Sequence, residues 1–124
     1  MYQFQNPNPK NNLTGDCVIR AISIATNQNW DYTYLDLALL GYEEKDMMSS
    51  NNLWDDYLYN HGFRRYIVPN ECRCYTIRDF CSEHPEGTYI VATGTHVVAV
   101  IDGNYYDTWD SGNELIFYYF KKED

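Results

Sequence analysis

A stretch late in the chain, residues 94–111, has the pattern of a β-hairpin. An apolar run of mostly β-branched residues, Val-Val-Ala-Val-Ile, is followed by Asp-Gly-Asn and then by an aromatic segment. A run, a turn and a second run of this kind predict two antiparallel neighbours in a sheet. His96 stands just before the first strand, and Asp107 and Asp110 stand near the end of the second. The hairpin therefore brings an imidazole near a carboxylate.

The length of the turn decides which carboxylate is nearer. A three-residue loop sets His96 opposite Asp110, whereas a two-residue loop leaves Asp110 diagonal to it, with Trp109 or Ser111 opposite. In both registers Asp107 pairs further along the strand. We therefore expect Asp110 to orient His96, with Asp107 as the alternative.

A cysteine near the amino end, Cys17, begins a patterned helix. The apolar residues after it recur at helical spacing and predict one buried face, formed by Val18, Ala21, Ile22 and Ala25. Asp16 or Thr14 is placed to cap the first amides. The positive end of a helix dipole favours a thiolate, which is the nucleophile of cysteine acyl-transfer chemistry. Plain packing is the competing interpretation of a lone cysteine here, and the distant His96 favours the nucleophile.

Taken together, these motifs resemble the papain-like cysteine peptidase superfamily. The matching segments are Asp-Cys-Val-Ile-Arg-Ala at 16–21, His-Pro-Glu-Gly-Thr-Tyr at 84–89, the apolar strand at 96–103 and Asp-Thr-Trp-Asp at 107–110. More narrowly, the chain is similar to small stand-alone papain-fold proteins of phages and bacteria, and to the peptidase domains that trim double-glycine leaders. The resemblance covers about residues 11–111.

The resemblance implies a fold and a set of roles. The fold is α+β, with N-terminal helices and the nucleophile helix packed on a C-terminal antiparallel sheet. Cys17 would be the nucleophile, His96 the general base and Asp110 the orienter, without metal or organic cofactor. The superfamily also places an amide side chain, usually Gln, before the cysteine to help hold the oxyanion. Asn11 and Asn12 stand there, but they are shorter, and a polar loop is the alternative interpretation of both.

Two classes of function agree with these motifs. The first is a cysteine hydrolase, a peptidase or amidase acting through a thioester on a peptide or protein, with deamidase and acyl transferase chemistry left open. The second is a non-catalytic papain-fold binding protein, for instance a phage inhibitor of a host protein. The presence of all three triad residues favours the enzyme. The reactivity of the cysteine thiol distinguishes the two classes.

The length and composition indicate the number of domains, the kinds of partner and the cell compartment to expect. Its 124 residues predict one domain over 1–124, with 1–14 as an extended lead-in. Nine Lys and Arg against 18 Asp and Glu give a formal charge of −9, which disfavours nucleic acid and membranes as partners. We expect no signal peptide and no transmembrane helix, and hence a cytoplasmic protein of a bacterium or a phage-infected cell, with reduced cysteines. The sequence does not indicate an oligomeric state.

Helical and strand patterns predict the remaining elements. A second helix runs from Asp31 to Gly41, with Tyr34, Leu35, Ala38 and Leu39 on its buried face. A third begins at residue 50 or 51 and ends at Gly62, with Leu53, Trp54, Tyr57 and Leu58 inward. A fourth follows a Thr76 cap, and strands are expected at 63–68, 88–93 and 115–120.

Three cysteines and a histidine offer ligands of the kind that zinc prefers: Cys72, Cys74, Cys81 and His84. Their Cys-x-Cys and Cys-x-x-His spacing departs from the usual Cys-x-x-Cys knuckle. We therefore predict no metal site, and Cys81 as a small buried side chain.

Overall fold

The structure, a computed structural model, describes residues 1–69 and 74–123. In these residues the fold is α+β, with four helices and a six-stranded sheet. The elements in chain order are β1 (Tyr2–Phe4), α1 (Cys17–Thr26), α2 (Trp30–Glu44), α3 (Asn51–Asn60), β2 (Phe63–Ile67), α4 (Ile77–Glu83), β3 (Thr88–Ala92), β4 (Val97–Ile101), β5 (Asn104–Asp107) and β6 (Tyr118–Lys122). Within the described ranges, no helix combines the length and apolar character needed to cross a bilayer.

The strand order in the sheet is β1-β5-β4-β3-β6-β2. Every neighbouring pair is antiparallel except β1 and β5, which run parallel. Residues 2–4, expected only as part of a lead-in, thus extend the sheet beside the strand that carries Asp107.

Both faces of the sheet are covered. Along β4, Val97 and Ala99 pack in one buried cluster with α1, α2 and α3, whereas Val98 and Val100 pack in a second cluster with α4. Side chains alternate between the faces of a strand, so a strand covered on both sides must be apolar throughout. The apolar run at 97–101 is therefore explained by the burial of both faces of β4.

α1 lies at the centre of the larger cluster. The predicted stripe proved too narrow, because every residue in 19–25 is buried. Asp16 takes the N-cap position as predicted, but its side chain makes no capping hydrogen bond and instead contacts Arg20 and Trp30. Asn27 ends the helix in the left-handed conformation.

The predicted buried face of α2 is wrong. The helix buries Thr33, Leu37 and Gly41, whereas Leu35 and Leu39 are 66% and 55% exposed. Thr33 faces inward because its hydroxyl accepts a hydrogen bond from Ser23 Oγ at 2.9 Å. Gly41 does not end the helix, which continues to Glu44; the glycine instead permits close approach of the following loop.

Gly41→Ala should lower the free energy of unfolding by about 1–3 kcal/mol, measured by urea denaturation. A Cβ at this position would lie 2.8 Å from the carbonyl oxygen of Asp46 and 3.5 Å from the Leu53 side chain. This clash outweighs the better helix propensity of alanine, worth about 1 kcal/mol. Gly15→Ala is the matched control, because no heavy atom lies within 4 Å of its Cβ position. Equal stability of the two variants would contradict the expected clash.

The other predicted elements are close to those observed. α3 buries Leu53, Trp54, Tyr57 and Leu58 as expected. Thr76 caps α4 in a reciprocal capping box with Asp79. The last strand, expected at 115–120, lies three residues later at its start, in β6.

Candidate active site

Cys17 occupies the first position of α1, where the helix leaves backbone N–H groups without intrahelical partners. Its half-buried thiol shares a cleft with His96 and Val97. Burial raises the pKa of the thiol, but the interactions with the His96 imidazole and the Val97 backbone amide, and the positive charges of His96 and Arg20, outweigh this effect. The pKa of Cys17 therefore lies below its ordinary value, which favours a thiolate.

Asp107, not Asp110, contacts His96. The His96 Nε2 atom lies 2.6 Å from Asp107 Oδ2, and this contact leaves Nδ1 as the ring nitrogen for the thiol. The predicted contact with Asp110 is wrong. Asp110 accepts hydrogen bonds from the Tyr105 hydroxyl and from Arg78, and its side chain is half exposed. The alternative carboxylate, Asp107, is therefore the one that lies against His96.

The length of the hairpin turn explains why Asp107, and not Asp110, contacts His96. Ile101 pairs with Asn104, so the loop has two residues, Asp102 and Gly103. Both have positive φ, 51° and 80°, as a type I′ turn requires. Extended along the strands, this register sets Trp109 opposite His96, and the two rings lie 5.2 Å apart.

Asp107 is held by four donors. Besides His96, its carboxylate accepts hydrogen bonds from Ser111 Oγ at 2.7 Å, the Thr108 amide at 2.8 Å and Arg20 Nη2 at 3.4 Å. Burial raises the pKa of this carboxyl group, whereas the hydrogen bonds from His96 and Ser111 lower it. The net shift is downward, so Asp107 is a carboxylate at neutral pH.

Arg20 links α1 to this carboxylate. Its guanidinium contacts the Asp16 carboxylate and the Thr14 carbonyl on one side and Asp107 on the other. Asp16 also accepts a hydrogen bond from Trp30 Nε1 at 2.9 Å. Arg20, Asp16 and Asp107 are all buried. Sequence reasoning missed Arg20 and Ser111; the signal for Arg20 was a cation on an otherwise uncharged helix.

His96 is more basic than an ordinary histidine. Burial lowers its pKa, but the hydrogen bonds to Asp107 and Cys17 raise it to about 9. Its backbone carbonyl accepts bonds from the Thr93 amide at 2.7 Å and the Thr93 hydroxyl at 3.1 Å, which fix the residue before β4. The raised pKa of His96 and the lowered pKa of Cys17 both act in the direction of a thiolate–imidazolium pair.

The thiol opens into a cleft of about 240 Å³. Its walls include the chain before α1, the loop before β4, the start of α3 and the aromatic rings of Trp54 and Tyr118. Asn11 and Asn12, the predicted oxyanion residues, do not line it. Both are exposed in the N-terminal loop, where the Asn11 amide bonds the Asn8 carbonyl.

An amide side chain from another element does line the cleft. Asn51, at the start of α3, accepts a hydrogen bond from Trp54 Nε1 at 3.1 Å through its side-chain oxygen. This contact fixes which end of the amide is the NH₂ donor. Sequence patterns do not predict that Asn51 and Cys17 share a cleft, because the packing of α3 in the fold brings the two residues there.

No protein-family model, curated protein or solved structure matches this chain. Its function must therefore be inferred from the chemistry of the site.

The residues considered for zinc do not converge where the structure describes them. Cys72 lies outside the described residues. Cys74 is exposed, Cys81 is a residue of α4 buried in the second cluster, and the His84 ring stacks on Phe80 with the ring centroids 3.9 Å apart. Across residues 1–69 and 74–123, no group of three or more His, Cys, Asp and Glu side chains is placed to hold a metal ion.

The lowered pKa of Cys17 and the raised pKa of His96 should change stability in opposite directions as the pH rises from about 6.5 to 8.5, the ordinary values of histidine and cysteine. Unfolding releases the proton of His96 and lets the Cys17 thiolate take one up, so the two pH dependences offset each other in the wild type. Cys17→Ser removes the thiolate but keeps Asp107 beside His96. The stability from the imidazolium is then complete below about pH 6.5 and is lost as the pH rises through the pKa in the folded state.

Urea denaturation of both proteins at pH 6.5, 7.5 and 8.5 measures this difference. The free energy of unfolding of Cys17→Ser should fall more steeply with rising pH than that of the wild type. Parallel profiles for the two proteins would contradict the ion pair.

Proposed function

We propose that this chain is a cysteine hydrolase with a papain-like arrangement of its nucleophile helix and sheet. The observation that carries the proposal is the position of His96, which lines the same cleft as Cys17 and contacts the buried Asp107 carboxylate through Nε2 at 2.6 Å. A nucleophile, a base and an orienting group in hydrogen-bonding sequence form the constellation that activates a nucleophile for acyl transfer.

In the proposed acylation, the Cys17 thiolate attacks the carbonyl carbon of the substrate and forms a carbon–sulfur bond. The negative charge moves to the carbonyl oxygen, where the free N–H groups at the start of α1 stabilise it. The Asn51 NH₂ group, in the same cleft, is the candidate second donor in place of Asn11 and Asn12. The His96 imidazolium gives its proton to the leaving amine, the carbon–nitrogen bond breaks, and a thioester remains.

Hydrolysis of the thioester completes the proposed cycle. His96 takes a proton from water, the resulting hydroxide attacks the thioester carbon, and the carbon–sulfur bond breaks to release a carboxylic acid. Asp107 keeps the imidazole oriented and stabilises its charged form throughout. These steps need no metal or organic cofactor. A peptide or another amide is the proposed substrate, and the net charge of −9 favours neutral or basic chains over nucleic acids.

The rate of Cys17 alkylation by iodoacetamide as a function of pH tests the proposal. At pH 7, Cys17 should be alkylated severalfold faster in the wild type than in His96→Ala. In the variant, burial still raises the pKa of the thiol, but the imidazolium that lowers it is gone. Mass spectrometry of the labelled peptides follows each cysteine separately. Cys81 serves as an internal control, because burial raises the pKa of its thiol.

Equal labelling of Cys17 in the wild type and in His96→Ala would overturn the nucleophile–base pair. Without this pair, the remaining hypothesis would be a non-catalytic binding protein, since a thiol that is not activated has no role in acyl transfer. Selective labelling that depends on His96 would justify a search for the substrate with peptide and amide libraries.

A further inference from the structure

A second cavity, of about 310 Å³, adjoins the Cys17 cleft. The two share Gly15, Val18 and Ser49 in their walls. The shared residues place the second cavity beside the cleft that holds the thiol, at the start of α1. The position of the second cavity makes it a candidate for substrate selection.

The walls of this cavity are mainly apolar. Val18 and Ile19 of α1 form one side, Trp30 and Tyr34 of α2 another, and Met48 closes it from the loop before α3. Contact with such walls favours an apolar occupant, because burial of its surface is the main source of affinity.

Two aromatic rings give the cavity a fixed shape. Trp30 and Tyr34 stack with their centroids 5.1 Å apart and their planes 22° apart. The indole is further held by the hydrogen bond from its Nε1 to Asp16. A fixed aromatic wall selects shape better than a mobile one, because less order is lost on binding.

The one acidic residue in the walls does not make the cavity a site for cations. Asp16 is buried, and its carboxylate already pairs with Arg20 and accepts the Trp30 hydrogen bond. A basic side chain entering here would lose its hydration without gaining a free carboxylate. The apolar walls of the cavity and its lack of an unpaired carboxylate both favour a neutral, apolar occupant.

We propose that this cavity is a specificity pocket for a bulky apolar side chain, aromatic or branched aliphatic, next to the scissile carbonyl of the substrate. The size is suitable, since a cavity of about 150 Å³ holds benzene. The inference rests on the proposed function, because it assumes that the carbonyl is delivered to Cys17.

A series of N-substituted iodoacetamides tests the pocket without knowledge of the substrate. The N-methyl, N-isobutyl and N-(2-phenylethyl) reagents alkylate thiolates by the same displacement of iodide and differ in the apolar group they carry. The rate for Cys17 is divided by the rate of each reagent with N-acetylcysteine, which removes intrinsic reactivity. We expect the isobutyl and phenylethyl reagents to exceed the methyl reagent about tenfold after this correction, the usual discrimination of an apolar pocket.

A pair of tyrosine variants locates the effect. Tyr34→Ala removes part of the cavity wall and should reduce the phenylethyl-to-methyl ratio severalfold. Tyr32→Ala is the matched control, because Tyr32 lies on the same helix, is 56% exposed and does not line the cavity. Using a ratio of two reagents cancels any change in the reactivity of the thiol itself.

The outcomes separate this inference from the proposed function. A slow, unselective reaction of Cys17 with the N-methyl reagent overturns the proposed function and the pocket with it. A fast reaction with equal corrected rates across the series overturns the pocket alone. A preference for the larger reagents that survives Tyr34→Ala, or falls equally in Tyr32→Ala, also overturns this location for the pocket.

Discussion

Asp107→Asn should slow the alkylation of Cys17 at pH 6 by about tenfold or more, and Asp110→Asn should leave it near the wild-type rate. The bond to Asp107 is the largest of the effects that raise the pKa of His96. Asparagine is similar in shape but carries no charge, so the imidazolium loses its support and the thiolate its counter-ion. Hydrolysis of a substrate should fall further, by about 10²–10⁴-fold, because proton transfer by His96 also loses its orientation.

Two measurements check this expectation. The first is the rate of Cys17 alkylation across pH 5–9 in both variants, and the second is the NMR titration of His96, whose pKa of about 9 should fall in Asp107→Asn alone. A larger loss in Asp110→Asn would restore the register in which Asp110 orients His96. That register would require a three-residue turn, which the pairing of Ile101 with Asn104 does not form.

Arg20→Met should lower the free energy of unfolding by about 3–5 kcal/mol, the cost of breaking a buried ion pair from one side. The substitution keeps much of the side-chain length but leaves Asp16 and Asp107 buried without their shared cation. Since a domain of this size is stable by about 5–15 kcal/mol, this loss is a large part of the total.

The chain offers a matched control in Arg78→Met. Arg78 also contacts an aspartate, Asp110, but both side chains are 52% exposed, so water replaces the lost contact. Urea denaturation of the two variants should give a much lower midpoint for Arg20→Met and a midpoint near the wild type for Arg78→Met. Similar midpoints would show that the buried network adds little to stability.

The residues that could be predicted from sequence are those with a local signal. Cys17 begins a helix marked by regularly spaced apolar residues, and His96 precedes an apolar strand that ends in a turn, so each position follows from its own neighbours. The choice of Asp110 failed because a shift of one residue in the turn changes every pairing beyond it. The Asp-Gly pair at 102–103 is typical of the two-residue type I′ turn, and this signal should have decided the register.

Other features depend on contacts between distant segments, which one sequence does not reveal. The buried side of α2 follows from the Thr33–Ser23 hydrogen bond, although Leu35 and Leu39 are more apolar. β1 exists because β5 has a free edge to pair with. The place of Asn51 in the cleft, and the absence of Asn11 and Asn12 from it, are likewise results of packing.

The enclosure of α1 has a consequence for how the thiol can move. With residues 19–25 buried between the sheet and α2, the helix cannot shift or unravel without opening the larger cluster. Its central amides should therefore exchange their hydrogens only when the whole domain unfolds, at the slowest rates in the chain. The sulfur is held in place by the fold before any substrate arrives, so adjustment on binding falls to the substrate and to the loops around the cleft.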